Sequence, residues 1–379
     1  MLNPAIGRSQ NAPIEPGGRR WDPLRELMPG EGIGPFSDQE IAALFGPLEQ
    51  ARGLVLAVSG GPDSIALMLL AARWAKISPD SSCPISVATV DHGLRAASGD
   101  EARQVSAWAT AQGLRHDILE WRGAKPKTRI QERAREKRYE LLFAHARQLG
   151  ADHIATAHHA DDQAETILFR LLRGSGIAGL AGMTLSSRRG EINHLRPLLF
   201  RPKADLVAVC TAKSHPFVRD PSNENPVYAR TRLRRLMTNF ENEGLDSAAF
   251  LRLGQRAARA DEALAYQARK MAEALPVVRG ADFVSAPLHS LVDEPEEILL
   301  RILENEIKFL CARDKTAETK LLRLDRLETL AVKLRIALRQ GDTFAATLGG
   351  TALNLDSRQV LTIRLETGRR RGAGTGKKP

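Results

Sequence analysis

The stretch Ser59-Gly60-Gly61-Pro62-Asp63-Ser64 constrains this chain more than any other. Ahead of it, Leu54 to Val58 is an unbroken apolar and partly β-branched run, which predicts a buried strand. Behind it, Ile65 to Trp74 is apolar with no internal Gly or Pro, which predicts a mostly buried helix. The residues between are then a strand-to-helix turn at the carboxyl end of a strand. Two glycines let the backbone turn tightly and bring bare N–H groups close to a ligand. Pro62 suits the first helical position, where its missing N–H costs nothing. A helix start of this kind, with the Ser59 and Ser64 hydroxyls beside it, is an anion site. The bland alternative is a tight connection that binds nothing. A Walker loop is excluded, because the G-x-x-x-x-G-K-[ST] spacing and its lysine are absent.

The pattern downstream repeats the strand–helix alternation. Ile85 to Val90 is a second strand ending on Asp91-His92-Gly93-Leu94-Arg95, and Ser98 and Asp100 open a helix to about Ala111. A short strand near Asp117 to Trp121 precedes a basic helix over Ile130 to Gln148, closed by Gly150. Ile154 to Ala157 is a fourth strand, ending on His158-His159-Ala160-Asp161-Asp162, with a helix beyond to Leu172. This spacing predicts an α/β fold with a doubly wound parallel sheet. Ligands of such sheets sit at the carboxyl ends of strands. The polar clusters at 59–64, 91–95 and 158–162 all fall there, which predicts one composite site.

Residues 1–37, rich in Pro and Gly, are expected to be a mobile arm, with Ser37-Asp38 capping the next helix. The catalytic domain is placed at 38–240. Amphipathic runs at Ala248 to Ala274, Glu296 to Leu310 and Lys320 to Leu338 predict a second, helical domain over 245–341. Two β-like runs make a small C-terminal β-containing segment at 342–367, followed by a basic tail at 368–379.

Lys and Arg number 55 against 45 Asp and Glu, a net +10 that suits a polyanionic partner. Cys83, Cys210 and Cys311 are too far apart for a metal-ligand cluster. No apolar run is long enough to span a bilayer, and no secretory h-region opens the chain, so a cytoplasmic location is expected.

Each polar cluster has two readings. Asp91 and His92 either face a bound nucleoside, or Asp91 is a local cap in a turn made by Gly93. His158 and Asp162 are four apart at a helix start and are expected to share a face; acids there also simply suit the macrodipole. Arg135 and Arg138 lie on one helix face with Arg133 and Lys137, so a solvated basic face is the default. Arg230, Arg232, Arg234 and Arg235 crowd a later helix opening, where contact with the phosphates of a structured RNA is the functional reading.

Taken in order, these segments resemble the ATP-pyrophosphatase, or PP-loop, family, in which ATP is cleaved between its α and β phosphates. Asp91-His92-Gly93-Leu94-Arg95, Gln131-Glu132 with Ala134-Arg135 and Arg138-Tyr139, and His158 through Thr166 are similar to its tRNA(Ile)-lysidine synthase branch. Leu172 through Gly176, Gly179-Leu180, Gly182-Met183, Arg196-Pro197-Leu198-Leu199 and Asp220 with Ser222-Asn223 extend the likeness over about Leu54 to Leu236. One departure is Thr231, where the branch usually has Asn between two arginines.

The resemblance implies ATP and Mg²⁺ as cofactors, and a CAU-anticodon tRNA(Ile) and free lysine as partners. ATP would adenylate O2 of the wobble cytidine with release of pyrophosphate, and the ε-amine of lysine would then attack C2 and displace AMP. It implies ATP contacts from Ser59 to Ser64, Val90, Asp91, His92 and Gly174, and Mg²⁺ ligation by Asp63 and Asp162. It further implies catalytic roles for Asp63, His158, Asp162, Arg135 and Arg138, one arginine meeting the α-phosphate, and tRNA binding by Arg230, Arg232, Arg234 and Arg235. The rivals are a tRNA thiolase on the same fold, an amide-forming synthetase, and a catalytically inert RNA-binding protein. A thiolase would be expected to carry cysteines near the site, and no Cys-x-x-Cys pair is present.

Overall fold

The computed structural model describes residues 32–366 apart from 80, 96, 124, 127, 219–228 and 314–321. Most of the expected arm, the basic tail, the Asp220 and Ser222-Asn223 segment and the Arg230 side chain lie outside the described residues. The chain divides into two compact units, Met1–Ala160 with Leu185–Pro221, and Asp161–Thr184 with Ser222–Pro379.

The first unit opens with the hairpin β1 (Gly32–Ile33) and β2 (Phe36–Ser37). These residues were expected in the arm, yet Ile33 and Phe36 are buried in the core. Helix α1 (Asp38–Phe45) follows, closed by a reciprocal box in which the Ser37 hydroxyl accepts from Glu40 N–H and Ser37 N–H donates to the Glu40 carboxylate.

Next come β3 (Leu54–Ala57), α2 (Pro62–Ile77), β4 (Ile85–Asp91), α3 (Ser98–Ala111), β5 (Arg115–Glu120), α4 (Ile130–Gln148) and β6 (His153–Thr156). Helices α5 (Ala160–Leu172) and α6 (Ile177–Leu180) precede β7 (Ser186–Arg189), β8 (Ile192–Leu195) and α7 (Lys203–Ala212). The sheet order is β5-β4-β3-β6-β8-β7, parallel except for β7 at one edge. The doubly wound sheet is therefore observed.

Period-two alternation decides which helix covers which face. Leu54 and Leu56 enter a core with α1, α2, α3 and α7, whereas Val55 joins Leu142, Phe143 and Ala146 of α4 on the other side. Helix α2 is buried from Ser64 to Ala72 and again at Trp74, which explains its almost uninterrupted apolar sequence. The chain leaves β3 toward β4 and β5 on one side and returns as β6 on the other. The crevice between the carboxyl ends of β3 and β6 is thus the topological switch point.

The second unit holds α5 and α6 together with α8 (Ala229–Asn242) and α9 (Ser247–Ala274). Ala164, Ile167 and Leu168 of α5 pack with Leu233 and Met237 of α8 and Phe250 of α9. Residues 161–184 thus cluster with the later chain. Beyond α9 lie β9 (Val278–Arg279), β10 (Phe283–Pro287), α10 (Glu296–Arg313), α11 (Leu324–Gln340), β11 (Phe344–Leu348), β12 (Thr351–Leu355) and β13 (Val360–Leu365).

The region expected to be a helical domain also contributes two strands, between its helices, to a five-stranded antiparallel sheet, β11-β12-β13-β10-β9. Pro276 and Gly280 stop the helix, and Val284 and Ala286 then alternate into a core shared with α10 and α11. The C-terminal strands are one part of that sheet rather than a separate segment.

Candidate active site

The loop after β3 is a helix start whose last extended residue is Gly61, with Pro62 first in the helix. Gly60 has φ +89°, and a methyl group there would lie 3.1 Å from both Val105 Cγ2 and Val218 Cγ2. The fold itself therefore requires glycine at 60. Gly61 differs. Its φ of −71° suits any residue, and a methyl there would meet nothing nearer than Ser59 Oγ at 3.9 Å. The open face at Gly61 is the space a phosphate needs beside the helix start.

Ser64 shapes the loop from within. Its hydroxyl donates to Gly61 O (2.9 Å) and accepts from Ser59 N–H (3.1 Å), and the hydroxyl of the exposed Ser59 lies 3.3 Å from it. Asp63 sits in the first helical turn with Oδ2 3.6 Å from His159 Nε2. Its Oδ1 is buried and has no hydrogen-bond partner among the described residues. A buried carboxylate oxygen without a donor, beside a phosphate cradle, fits a hard divalent cation. The sequence emphasised His158, but His159 is the neighbour of Asp63.

His158 is buried beyond the end of β6 in a hydrogen-bonded row. Arg196 donates from a terminal guanidinium nitrogen to His194 Nδ1 (3.1 Å); His194 Nε2 lies 2.8 Å from Thr156 Oγ1, and that hydroxyl lies 2.7 Å from His158 Nδ1. Burial, reinforced by Arg135, Arg196, Arg138 and His194, pushes the His158 pKa down to about 2. Burial and the same three arginines push His194 down to about 3. Both imidazoles are neutral at physiological pH. Helix α5 begins at Ala160, whose N–H is taken by Arg201 O (2.8 Å), so His158 precedes the helix and does not share a helical face with Asp162.

The basic helix α4 resolves into two sets. Arg129, Arg133 and Lys137 pair with Glu132, Glu136 and Glu140 on the exposed surface. Arg135 and Arg138 instead lean over the Tyr139 ring, at 5.2 and 5.4 Å from its centroid, and bear on His158 and His194. The sequence could not make that separation.

At the end of β4, Asp91 Oδ1 accepts Gly93 N–H (2.8 Å) while Gly93 has φ +58°. Burial disfavours the Asp91 carboxylate, but the Ser98 hydroxyl, Gly93 N–H, His92 and Lys125 together hold its pKa below the usual range. These contacts make Asp91 a local cap of the turn. His92, after Val90, rests edge-on against Trp121 with its Nδ1 buried and without a hydrogen-bond partner among the described residues, and burial with Arg138 and Lys125 lowers its pKa.

In the second unit, Gly174 (φ +66°) ends α5 as a left-handed terminator. Gln163 is buried and holds both backbone groups of Met183, at 2.7 and 2.9 Å, and Arg170 donates to Gly179 O and Gly182 O at 2.7 Å. These parts of the string after Asp162 latch 179–183 onto α5. Asp162 is half-buried on α5, and its backbone carbonyl accepts the Thr166 hydroxyl. Arg234 of α8 donates to buried Glu165 at 2.6 Å, while Arg232 and Arg235 are exposed. Among the described residues no cluster of three or more His, Cys, Asp or Glu is arranged to hold a metal by itself, and no helix is long and apolar enough to cross a membrane.

Residues 35–240 match the PP-loop domain. The tRNA(Ile)-lysidine synthase of Methylobacterium sp. (strain 4-46) is 45% identical over 333 residues, covering 86% of this chain and 94% of the relative. That of Bradyrhizobium diazoefficiens is 41% identical over 357 residues, covering 91% and 99%. That of Rhodopseudomonas palustris is 49% identical over 237 residues, covering 62% and 68%. Among solved structures, a U34-tRNA thiolase from Methanococcus maripaludis with its [4Fe-4S] cluster covers 58% of this chain and 76% of that one, at 15% identity and a TM-score of 0.49.

Proposed function

This chain belongs to the tRNA(Ile)-lysidine synthases of the PP-loop family, and from that premise we propose that it joins lysine to the wobble cytidine of a CAU-anticodon isoleucine tRNA. ATP adenylates O2 of the cytidine with loss of pyrophosphate; the ε-amine of lysine then attacks C2 and AMP leaves. The observation that carries the reading is the loop at the switch point, with an open face at Gly61 and an orphaned Asp63 oxygen beside it.

The first-turn N–H groups of α2 and the Ser59 hydroxyl hold the phosphates. Asp63 is the Mg²⁺ ligand in this proposal; the ion would offset charge as pyrophosphate departs. Arg135 and Arg138 supply positive charge where it is needed on the α-phosphate, and the Asp162 carboxylate receives the lysine ammonium. Val90, Asp91, His92 and Gly174 remain assigned to the nucleotide. A cytoplasmic location is part of this proposal, because its substrates are tRNA, ATP and free lysine.

Cys210 speaks against a thiolase. It is the cysteine under the loop, donating to Pro62 O at 3.4 Å, and burial together with Asp63 pushes its thiol up to about 11. A thiol held protonated is a poor nucleophile.

The decisive assay supplies ATP, labelled lysine and unmodified CAU isoleucine tRNA, with a CAU methionine tRNA as control. Label is expected on the first alone; none on either, or equal label on both, refutes the reading.

Arg230, Arg232, Arg234 and Arg235 are assigned to the tRNA backbone. Arg232→Ala with Arg235→Ala is expected to weaken tRNA retention and lower the slope of log K against log salt by about two, one per phosphate contact. An unchanged slope removes these side chains from the interface. Arg234 also neutralises buried Glu165, so Arg234→Ala is the wrong probe of binding.

A further inference from the structure

We infer that Thr156, His194 and Arg196 are positioning residues that hold His158 in its Nε2–H tautomer, as a fixed hydrogen-bond donor to a phosphoryl oxygen. The inference rests on the nucleotide-binding reading of this crevice, and it concerns residues which that reading leaves without a role.

The direction of the row follows from which atoms carry protons. A guanidinium only donates, so His194 Nδ1 must be the acceptor of the Arg196 bond (3.1 Å). A neutral imidazole with one bare nitrogen carries its proton on the other, so His194 Nε2–H donates to Thr156 Oγ1 (2.8 Å). The threonine hydroxyl has one proton, and the remaining neighbour is His158 Nδ1 at 2.7 Å. If Nδ1 instead carried a proton, the hydroxyl would accept twice and its own proton would be buried without an acceptor, the costlier arrangement. The proton of His158 therefore resides on Nε2.

Three strands of reasoning identify the ligand. Arg135, Arg138 and Arg196 all bear on this imidazole, so an anion is favoured there. A second imidazolium would add to that charge, whereas a neutral donor adds a directed hydrogen bond without repulsion. His158 also follows directly from the carboxyl end of β6, the strand next to β3 in the sheet, and its chain neighbour His159 is beside Asp63. Tyr139 and Phe143 pack around His194 with centroids at 5.3 and 6.4 Å, which fixes the ring that sets the direction.

The test reads the imidazole nitrogens of the full chain by ¹⁵N NMR, with His158 identified by its loss in His158→Gln. In the wild type, His158 is expected to show a pyrrole-like Nε2 and a pyridine-like Nδ1 throughout the neutral pH range, and added ATP is expected to shift the Nε2 signal. Thr156→Val keeps the shape but removes the hydroxyl. It should convert His158 to a mixture of tautomers and lower kcat for pyrophosphate release about tenfold, the worth of one hydrogen bond, with little change in KM for ATP. Thr156→Ser should restore both. A protonated Nδ1 in the wild type, an unchanged ring spectrum in Thr156→Val, or no response to ATP overturns the inference. The tautomer is read without tRNA or lysine, so it stands or falls separately from the lysine-transfer assay.

Discussion

Asp63→Asn is expected to lower pyrophosphate release on the order of a thousandfold, the scale of several kcal/mol that a metal-centred charge contributes at a phosphoryl group. The substitution keeps the size of the side chain and removes the negative charge. Because Oδ1 is buried without a donor and Oδ2 is 3.6 Å from His159, the carboxylate contributes little to the fold. Thermal stability should consequently stay close to that of the wild type, since the half-buried side chain has only the 3.6 Å contact with His159 to lose. Retention of tRNA on a filter should persist. Normal pyrophosphate release would take Asp63 out of the chemistry, and a large drop in Tm would make it a folding residue.

The second large effect separates two adjacent glycines. Gly60→Ala forces a side chain into φ +89° and sets its methyl 3.1 Å from two valines. A cost of about 2–4 kcal/mol in unfolding free energy is expected, combining backbone strain with overpacking. Gly61→Ala meets neither penalty, because its φ is ordinary and the nearest atom is 3.9 Å away. Its stability should stay within about 1 kcal/mol of the wild type, or rise through a less flexible unfolded chain. ATP affinity, measured by equilibrium dialysis, should nevertheless fall by more than about tenfold, the added methyl occupying the approach of the phosphates. If Gly61→Ala binds ATP normally, the open face is not the phosphate site.

The contrast between these glycines shows what the sequence carries and what it leaves out. Both letters announce a tight turn. Only the packing of Val105 and Val218 distinguishes the glycine needed by the fold from the one left open for a ligand. The alternating strands and helices were legible because β3 and α2 are buried on nearly all sides and read as apolar runs. The first element of the hairpin was not, since Ile33 and Phe36 lie among Pro and Gly with no period to mark them.

At the site, strand ends pointed to the right clusters and to the wrong emphasis within them. His158 and Asp162 are four apart in sequence, but the helix begins between them. His194 escaped notice altogether. It is a single inward histidine on a short strand, and nothing local signals that it reaches Thr156. Likewise Glu165 and Arg234 look like solvated charges until α5 and α8 pack together.

The order of strands in the second unit also sets a schedule for synthesis. Strand β10 is flanked by β9 and β13, and Val284 opposes Ile363 near the end of the described chain. A ribosome releases β10 well before its main partner exists, so its hydrogen-bonding edge waits for nearly all of the remaining chain. Closing so long a loop is slow, and an edge strand left open can pair with a neighbouring nascent chain. Helices α10 and α11 lie between them in sequence and bury the same apolar face. They can cover Val284 and Ala286 in the interval, which makes them shields during birth as well as walls of the finished core.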